Sequence, residues 1–220
     1  MRNFLFDFDS TLADTRDVAV TATQKAYALK GLAIPSREAV VSYMGVPIEV
    51  SFAKMAQEPL DEATLADLYD VFRAQYQVAE QLGITLFDGM ATILKTLKQR
   101  GENLFVVSSK HSVPLQRNLT QLGLGTTFTA ISGSDMVAHY KPAPDGILNL
   151  LQRFELAANE SVMIGDAKYD MQMGKNAHIA TAAAMWGAAD PTSVKAESPT
   201  YLLQTPAELV NLAVTANGYC

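Results

Sequence analysis

An α/β fold, built on a Rossmann-like doubly wound parallel sheet core with an inserted helical cap domain, is predicted by three features of this sequence. The apolar run FLFDF at residues 4–8 leads straight into two aspartates, Asp7 and Asp9. Short apolar stretches recur further on, with helical segments between them. Roughly ninety residues separate the first of these stretches from the second, too long a connection to remain without structure in a compact domain. A short Phe/Leu run without strict alternation reads as a strand buried on both faces of a parallel sheet, where an unpaired carboxylate is costly. In open α/β sheets, ligands bind in the crevice beyond the carboxyl ends of the strands. Asp7 and Asp9 fall at such an end, where a divalent cation would satisfy both.

The elements follow in order from local signals. After the first strand, residues 17–30, 36–44, 48–57 and 61–82 space Ala, Val, Leu, Tyr and Phe at helical intervals, with breaks at Gly31, Pro35, Pro47 and Pro59. Ser36 and Asp61 each precede a run of helix formers and are predicted N-caps. This stretch reads as a small helical cap over residues 16–84, entered and left through hinges near 12–16 and 83–89. Residues 1–15 and 85–220 then form the catalytic core. Strands are expected at 104–108, 128–132, 162–165 and 179–185.

Composition narrows the range of functions. The chain has 220 residues, 49% of them hydrophobic, enough for a buried core. Its net charge of -6 and scattered Lys and Arg disfavour binding to nucleic acid. No apolar run reaches the roughly 18 to 20 residues of a membrane span, and Asp7 and Asp9 interrupt the place where a signal peptide needs its apolar core. A cytoplasmic protein is expected. The lone cysteine, Cys220, fits a reducing compartment and has no expected role.

Further polar groups stand where the later strands end. They are Ser108, Ser109 and Lys110 in ENLFVVSSK, Lys141 in AHYKPAPDG, and Asp166 with Asp170 in SVMIGDAKYD. Parallel topology gathers them around Asp7. Together they suit phosphoryl transfer, which is mostly positioning and neutralisation of charge on the phosphoryl oxygens. Asp7 would attack phosphorus to form an aspartyl-phosphate. Asp9 would protonate the leaving oxygen and later deprotonate the hydrolytic water. Ser108 and Lys141 would hold the phosphoryl oxygens. Asp166 would complete a metal site, and Mg²⁺ suits it as a hard ion that accepts a few carboxylates and binds substrate phosphate.

DFDSTLADT, VVSSK, KPAPD and GDAKYD stand in the order and spacing of the four motifs of the haloacid dehalogenase superfamily. The chain resembles that superfamily's phosphatases with a small helical cap, of the phosphoglycolate phosphatase-like kind. The resemblance implies that Asp7 is the nucleophile and a metal ligand, and that Asp9 is the acid/base and lends the metal its backbone carbonyl. It implies phosphate-holding roles for Ser108 and Lys141 and a metal-ligand role for Asp166. Asp170 matches the second acid of the fourth motif, which touches the metal directly or through water; a carboxylate serving the helix N-terminus is the other reading. One residue departs from the pattern. Relatives place glycine after the second aspartate, and here Ser10 stands there. Either the turn needs no positive φ, or strain on the order of 1 to 2 kcal/mol is stored in it.

Discrimination among small phosphorylated substrates is expected from the cap, where MGVPIEVSF at 44–52 resembles the substrate-facing loop, with Gly45 and, on the core side, Ser109 as candidate substrate-binding residues. Val46, Pro47 and Ile48 bring no charge for a distal carboxylate such as that of phosphoglycolate, and the orientation of nearby Arg37 and Lys54 is open. A phosphomutase of the β-phosphoglucomutase type would reuse every catalytic group and is the alternative reading. A phospho-acceptor signalling module also uses Asp, Ser/Thr, Lys and Mg²⁺, but the cap and the Asp7/Asp9 spacing oppose it. Lys110 and Lys168 read as solvated rim charges. His111, His139 and His178 lack metal-ligand spacing. Met163, Met171, Met173 and Met185 read as packing. Trp186 reads as either the site mouth or a loop anchor.

Overall fold

The computed structural model describes residues 1–213; Cys220 lies outside the described residues. Six parallel strands form one sheet in the order β5-β4-β1-β6-β7-β8. They are β1 (Asn3–Phe6), β4 (Asn103–Val107), β5 (Ala130–Ser132), β6 (Ser161–Gly165), β7 (Ala180–Ala184) and β8 (Tyr201–Leu203). Both faces of the sheet are covered, which is why its strands read as continuous apolar runs. Phe4, Phe6, Leu104, Val106, Val162 and Ile164 point to one face, where helices α5 (Met90–Gln99) and α6 (Ser112–Gln121) pack through Leu94, Leu97, Leu115 and Leu119. The alternate residues Leu5, Phe105, Val107 and Met163 point to the other face. They meet Ile147 and Leu150 of α7 (Asp145–Arg153) and Met173 of α8 (Lys168–Asn176). Helix α9 (Pro191–Ala196) closes against α8 and β7 through Val194, Met171 and Ala183.

The stretch between β1 and β4 is helical, as its periodicity predicts. Helices α1 (Arg16–Leu29), α2 (Arg37–Ser42), α3 (Ile48–Met55) and α4 (Glu62–Ala79) are followed by a 3-10 turn at Glu80–Leu82. Ser36 caps α2 by accepting from Ala39 N at 3.1 Å, and Asp61 caps α4 by accepting from Thr64 N at 2.7 Å. Helices α1 and α4 pack along their length through Val18, Ala22, Tyr76 and Ala79 at one end and Ala26, Tyr27 and Leu68 towards the other, where Phe52 of α3 joins them. The Tyr27 hydroxyl, buried there, donates to the Phe52 carbonyl at 2.6 Å. No described helix is long and apolar enough to cross a membrane.

Three strands carry no sequence signal. Where hinges are expected, β2 (Ala13–Asp14) and β3 (Thr85–Leu86) pair antiparallel as a ribbon at the base of the helical insertion, and each is too short to show a period. The third, β8, is three residues set between turns at the edge of the sheet.

The turn after β1 does need a positive φ, which Ser10 adopts at 60°. The Phe8 carbonyl accepts from Leu12 N at 3.0 Å and Ala13 N at 3.1 Å, which holds the turn closed. The loop after β7 braces it from outside: Trp186 Nε1 donates to the Thr11 carbonyl at 3.0 Å, so Trp186 is a loop anchor. Beside it, a Cβ on Gly187 would lie 1.6 Å from the Ser10 carbonyl oxygen. Gly187→Ala is therefore expected to lower the stability to urea by about 2 to 3 kcal/mol, because a backbone rather than a flexible side chain must move. A variant as stable as the parent would mean that this turn can shift aside freely.

Candidate active site

The end of β1 continues the ladder for one more residue, with Asp7 N donating to the Ile164 carbonyl at 2.8 Å. This places the Asp7 side chain, only 2% exposed, beyond the sheet. Asp166 follows β6 directly, and Asp170 lies in the first turn of α8, also buried. Each of these three acids offers an oxygen, and the three atoms lie within 4.8 Å of one another. Gly165 permits the approach, since a Cβ there would sit 2.2 Å from Asp170 Cγ. Lys141, whose side chain is 4% exposed, reaches in from the loop before α7, 2.7 Å from Asp170 Oδ1 and 3.0 Å from Asp7 Oδ1. The approach to Asp7 is an ion pair without hydrogen-bond alignment, and Asp7 Oδ1 has no hydrogen-bond partner among the described residues.

Three carboxylates against one ammonium leave this pocket short of positive charge. Burial raises the Asp7 carboxyl to about 7 against the pull of Lys141, with Asp170 and Asp9 adding to the rise. Burial, followed by the charges of Asp170 and Asp7, also holds Asp166 well above the usual carboxylate range; the Thr11 hydroxyl, which donates to Asp166 Oδ1 at 2.8 Å, works the other way. Burial alone would lower the Lys141 ammonium, but Asp170 and Asp7 outweigh it and hold Lys141 above its ordinary value. A buried carboxylate oxygen without a hydrogen bond, in a cluster where three hard acidic donors face one ammonium, fits a divalent cation. Asp7, Asp166 and Asp170 are the side chains that could hold it. Asp170 also accepts from Ala167 N at 3.0 Å through Oδ2, so it serves the helix N-terminus as well as facing the cluster.

Asp9 stands apart from the triad. Its Oδ1 accepts from Thr15 Oγ1 at 2.6 Å and from Lys110 Nζ at 2.8 Å, and the residue lines a cavity of about 720 Å³ between the helical insertion and the core. Lys110 corrects the expectation of a solvated rim charge. Its side chain is only 10% exposed, its ammonium also donates to Tyr76 Oη at 2.6 Å and Asn118 Oδ1 at 3.2 Å, and it lies over the Phe8 and Tyr76 rings. Burial pushes the Tyr76 hydroxyl up to about 12, so it stays a neutral donor and acceptor. Ser108 is buried at the end of β4, its N donating to the Ser132 carbonyl at 2.9 Å and its Oγ accepting from Lys110 N at 3.2 Å. Ser109 Oγ donates to the Gly45 carbonyl at 2.7 Å, so these two candidates join the insertion to the core.

The remaining singled-out residues lie off the cluster. Lys168 sits over the Tyr169 ring at 5.2 Å. Nδ1 of His139 pairs with Asp145 at 3.1 Å, while Nδ1 of His111 accepts from Val113 N. Met163, Met171 and Met173 are core residues. Thr11 and Thr15 are contacts that sequence reasoning missed; both lie in the DFDSTLADT stretch, and a hydroxyl a few residues from a buried acid is the available signal.

A parallel sheet that gathers buried acids, a lysine and a serine at the carboxyl ends of its central strands defines a hydrolase-type site at a topological switch point. The chain belongs to the haloacid dehalogenase-like hydrolase family, whose model matches residues 4–184. It is 32% identical over 213 residues to IndB of Dickeya dadantii, named a probable phosphatase, covering 95% of this chain and 92% of that one. It is 28% identical over 212 residues to the phosphoglycolate phosphatase of Aquifex aeolicus, covering 96% of each. Among solved structures, a haloacid dehalogenase-like hydrolase from Streptococcus pneumoniae superposes with a TM-score of 0.85 at 25% identity, over 96% of this chain and 97% of that one.

The raised Asp7 has a measurable consequence. The folded protein holds this proton up to about pH 7, whereas the unfolded chain releases it near 3.8, so folding binds the proton in that window and stability falls as pH rises through it. Urea unfolding in chelator is expected to show wild type losing stability relative to Asp7→Asn between about pH 4 and pH 7. Parallel stability curves for the two proteins would contradict the assigned environment.

Proposed function

We propose that this chain is a Mg²⁺-dependent phosphatase that hydrolyses a small phosphomonoester through an aspartyl-phosphate on Asp7, with residues 16–84 acting as a cap over a core of 1–15 and 85–220. The observation that carries this reading is the buried Asp7 carboxylate, one oxygen of which has an ion pair to Lys141 but no hydrogen bond among the described residues, set close to Asp166 and Asp170. Mg²⁺, held by Asp7, Asp166 and Asp170 with the Asp9 backbone carbonyl, would supply positive charge to the phosphoryl oxygens.

The chain's own residues carry the rest of the reaction. Asp7 attacks phosphorus and the substrate's ester oxygen leaves. Lys141 holds a phosphoryl oxygen and keeps Asp7 oriented, while Ser108 offers its hydroxyl at the end of the neighbouring strand. Asp9, which lines the cavity, donates a proton to the leaving oxygen. It later takes one from the water that cleaves the aspartyl-phosphate, releasing phosphate and restoring Asp7. Thr15 and Lys110 both bond the same oxygen of Asp9 and so fix its rotamer.

Hydrolysis of p-nitrophenyl phosphate should be lost in excess chelator and restored by Mg²⁺; turnover undiminished by chelator would remove the metal from this reading. After rapid quench, mass spectrometry should find no phosphoryl group on Asp7→Asn. Asp9→Asn should still be phosphorylated by an activated ester while its turnover falls by roughly 10² to 10⁴. A phosphorylated Asp7→Asn protein would overturn the covalent route.

A further inference from the structure

The cavity beside Asp9 is large and apolar. Met44, Val46, Pro47 and Ile48 line it from the insertion's loop and α3, and Phe72 adds an aromatic surface from α4. At about 720 Å³ it has the size of a site for a ring-bearing molecule. A two-carbon acid would leave most of this apolar surface against water.

Three strong cations line the same cavity, and each is already matched by a carboxylate. Arg73 donates to Asp70 at 3.0 Å and to Glu49 at 3.1 Å. Lys110 is bonded to Asp9. Arg117 pairs through Nε and Nη2 with Glu80, whose side chain is 1% exposed and also accepts from Asn118 at 2.7 Å. Drawing the half-buried Arg117 away would leave the buried Glu80 carboxylate uncompensated, so Arg117 is held from a substrate anion. Asp9 and Glu49 themselves face the cavity. A second anionic group on the substrate would meet two carboxylates and no unmatched guanidinium or ammonium among the described residues. Gln77 and Ser134 provide uncharged hydrogen-bonding groups on the walls instead.

We infer that the substrate's leaving group is an uncharged, largely apolar alcohol bearing a ring, and that the carboxylates of Glu49 and Asp70, which occupy the half-exposed Arg73, disfavour leaving groups with a second negative charge. This rests on the phosphatase reading of the Asp7 site. The test compares kcat/KM, with Mg²⁺, for 2-phenylethyl phosphate against phosphoglycolate and pyrophosphate, with p-nitrophenyl phosphate as the reference.

The ring-bearing ester should be preferred by at least about tenfold over either anionic substrate. Equal or better use of phosphoglycolate or pyrophosphate, with p-nitrophenyl phosphate turned over, would overturn the inference and leave the phosphatase reading standing. No turnover of p-nitrophenyl phosphate would overturn both. The double variant Glu49→Gln/Asp70→Asn frees Arg73 and should raise kcat/KM for phosphoglycolate relative to 2-phenylethyl phosphate by about tenfold. A folded double variant without that gain would overturn the role assigned to the Arg73 pairing.

Discussion

Lys141 sets one buried ammonium between Asp7 and Asp170, with an Asp166 oxygen close by, so the carboxyl end of the sheet holds more negative than positive charge away from water. Two like charges at 4 Å repel by about 4 kcal/mol at the effective dielectric of a protein. Such a cluster persists only if the backbone around it is over-determined. Most of the features that distinguish this chain from a generic parallel sheet serve that end.

The strand order is the first of them. With β1 between β4 and β6, the residues that follow three adjacent strands, Asp7, Ser108 and Asp166, come to one place without long side chains having to reach. The positive φ at Ser10 is the second, since the turn it closes brings the Thr11 hydroxyl onto Asp166. That strain is tolerated because Trp186 and Gly187 pack the turn from outside. A strained residue next to a charged cluster is where local rules and fold requirements are expected to part.

Much of this was legible in the residues because the sheet is buried on both faces. A run such as LFVV at 104–107 can be read as a strand from its length and content, and the polar residues at its end then stand out as anomalies. The helices of 16–84 were legible for the complementary reason: apolar residues recur every three or four positions, and Ser36 and Asp61 cap where caps are needed. What could not be read depended on partners distant in sequence. Lys110 looks like the polar end of a strand; its burial comes from Tyr76, 34 positions away, and from Asn118 one helix on. Glu80 reads as an ordinary helix-end residue until α6 brings Arg117 and Asn118 against it. The ribbon of β2 and β3 is invisible in sequence because two residues carry no period.

The helical insertion is tethered to the core unequally at its two ends. At the end of α4, the buried Glu80 carboxylate is gripped by Arg117 and Asn118, and Tyr76 by Lys110, through charged hydrogen bonds. At the other end, Gly45 meets Ser109 through a single neutral hydrogen bond, which contributes about 1 kcal/mol net. Thermal fluctuation breaks the second kind of contact far more often than the first. The insertion is thus held over the cavity less firmly at the Met44–Pro47 loop than at the end of α4.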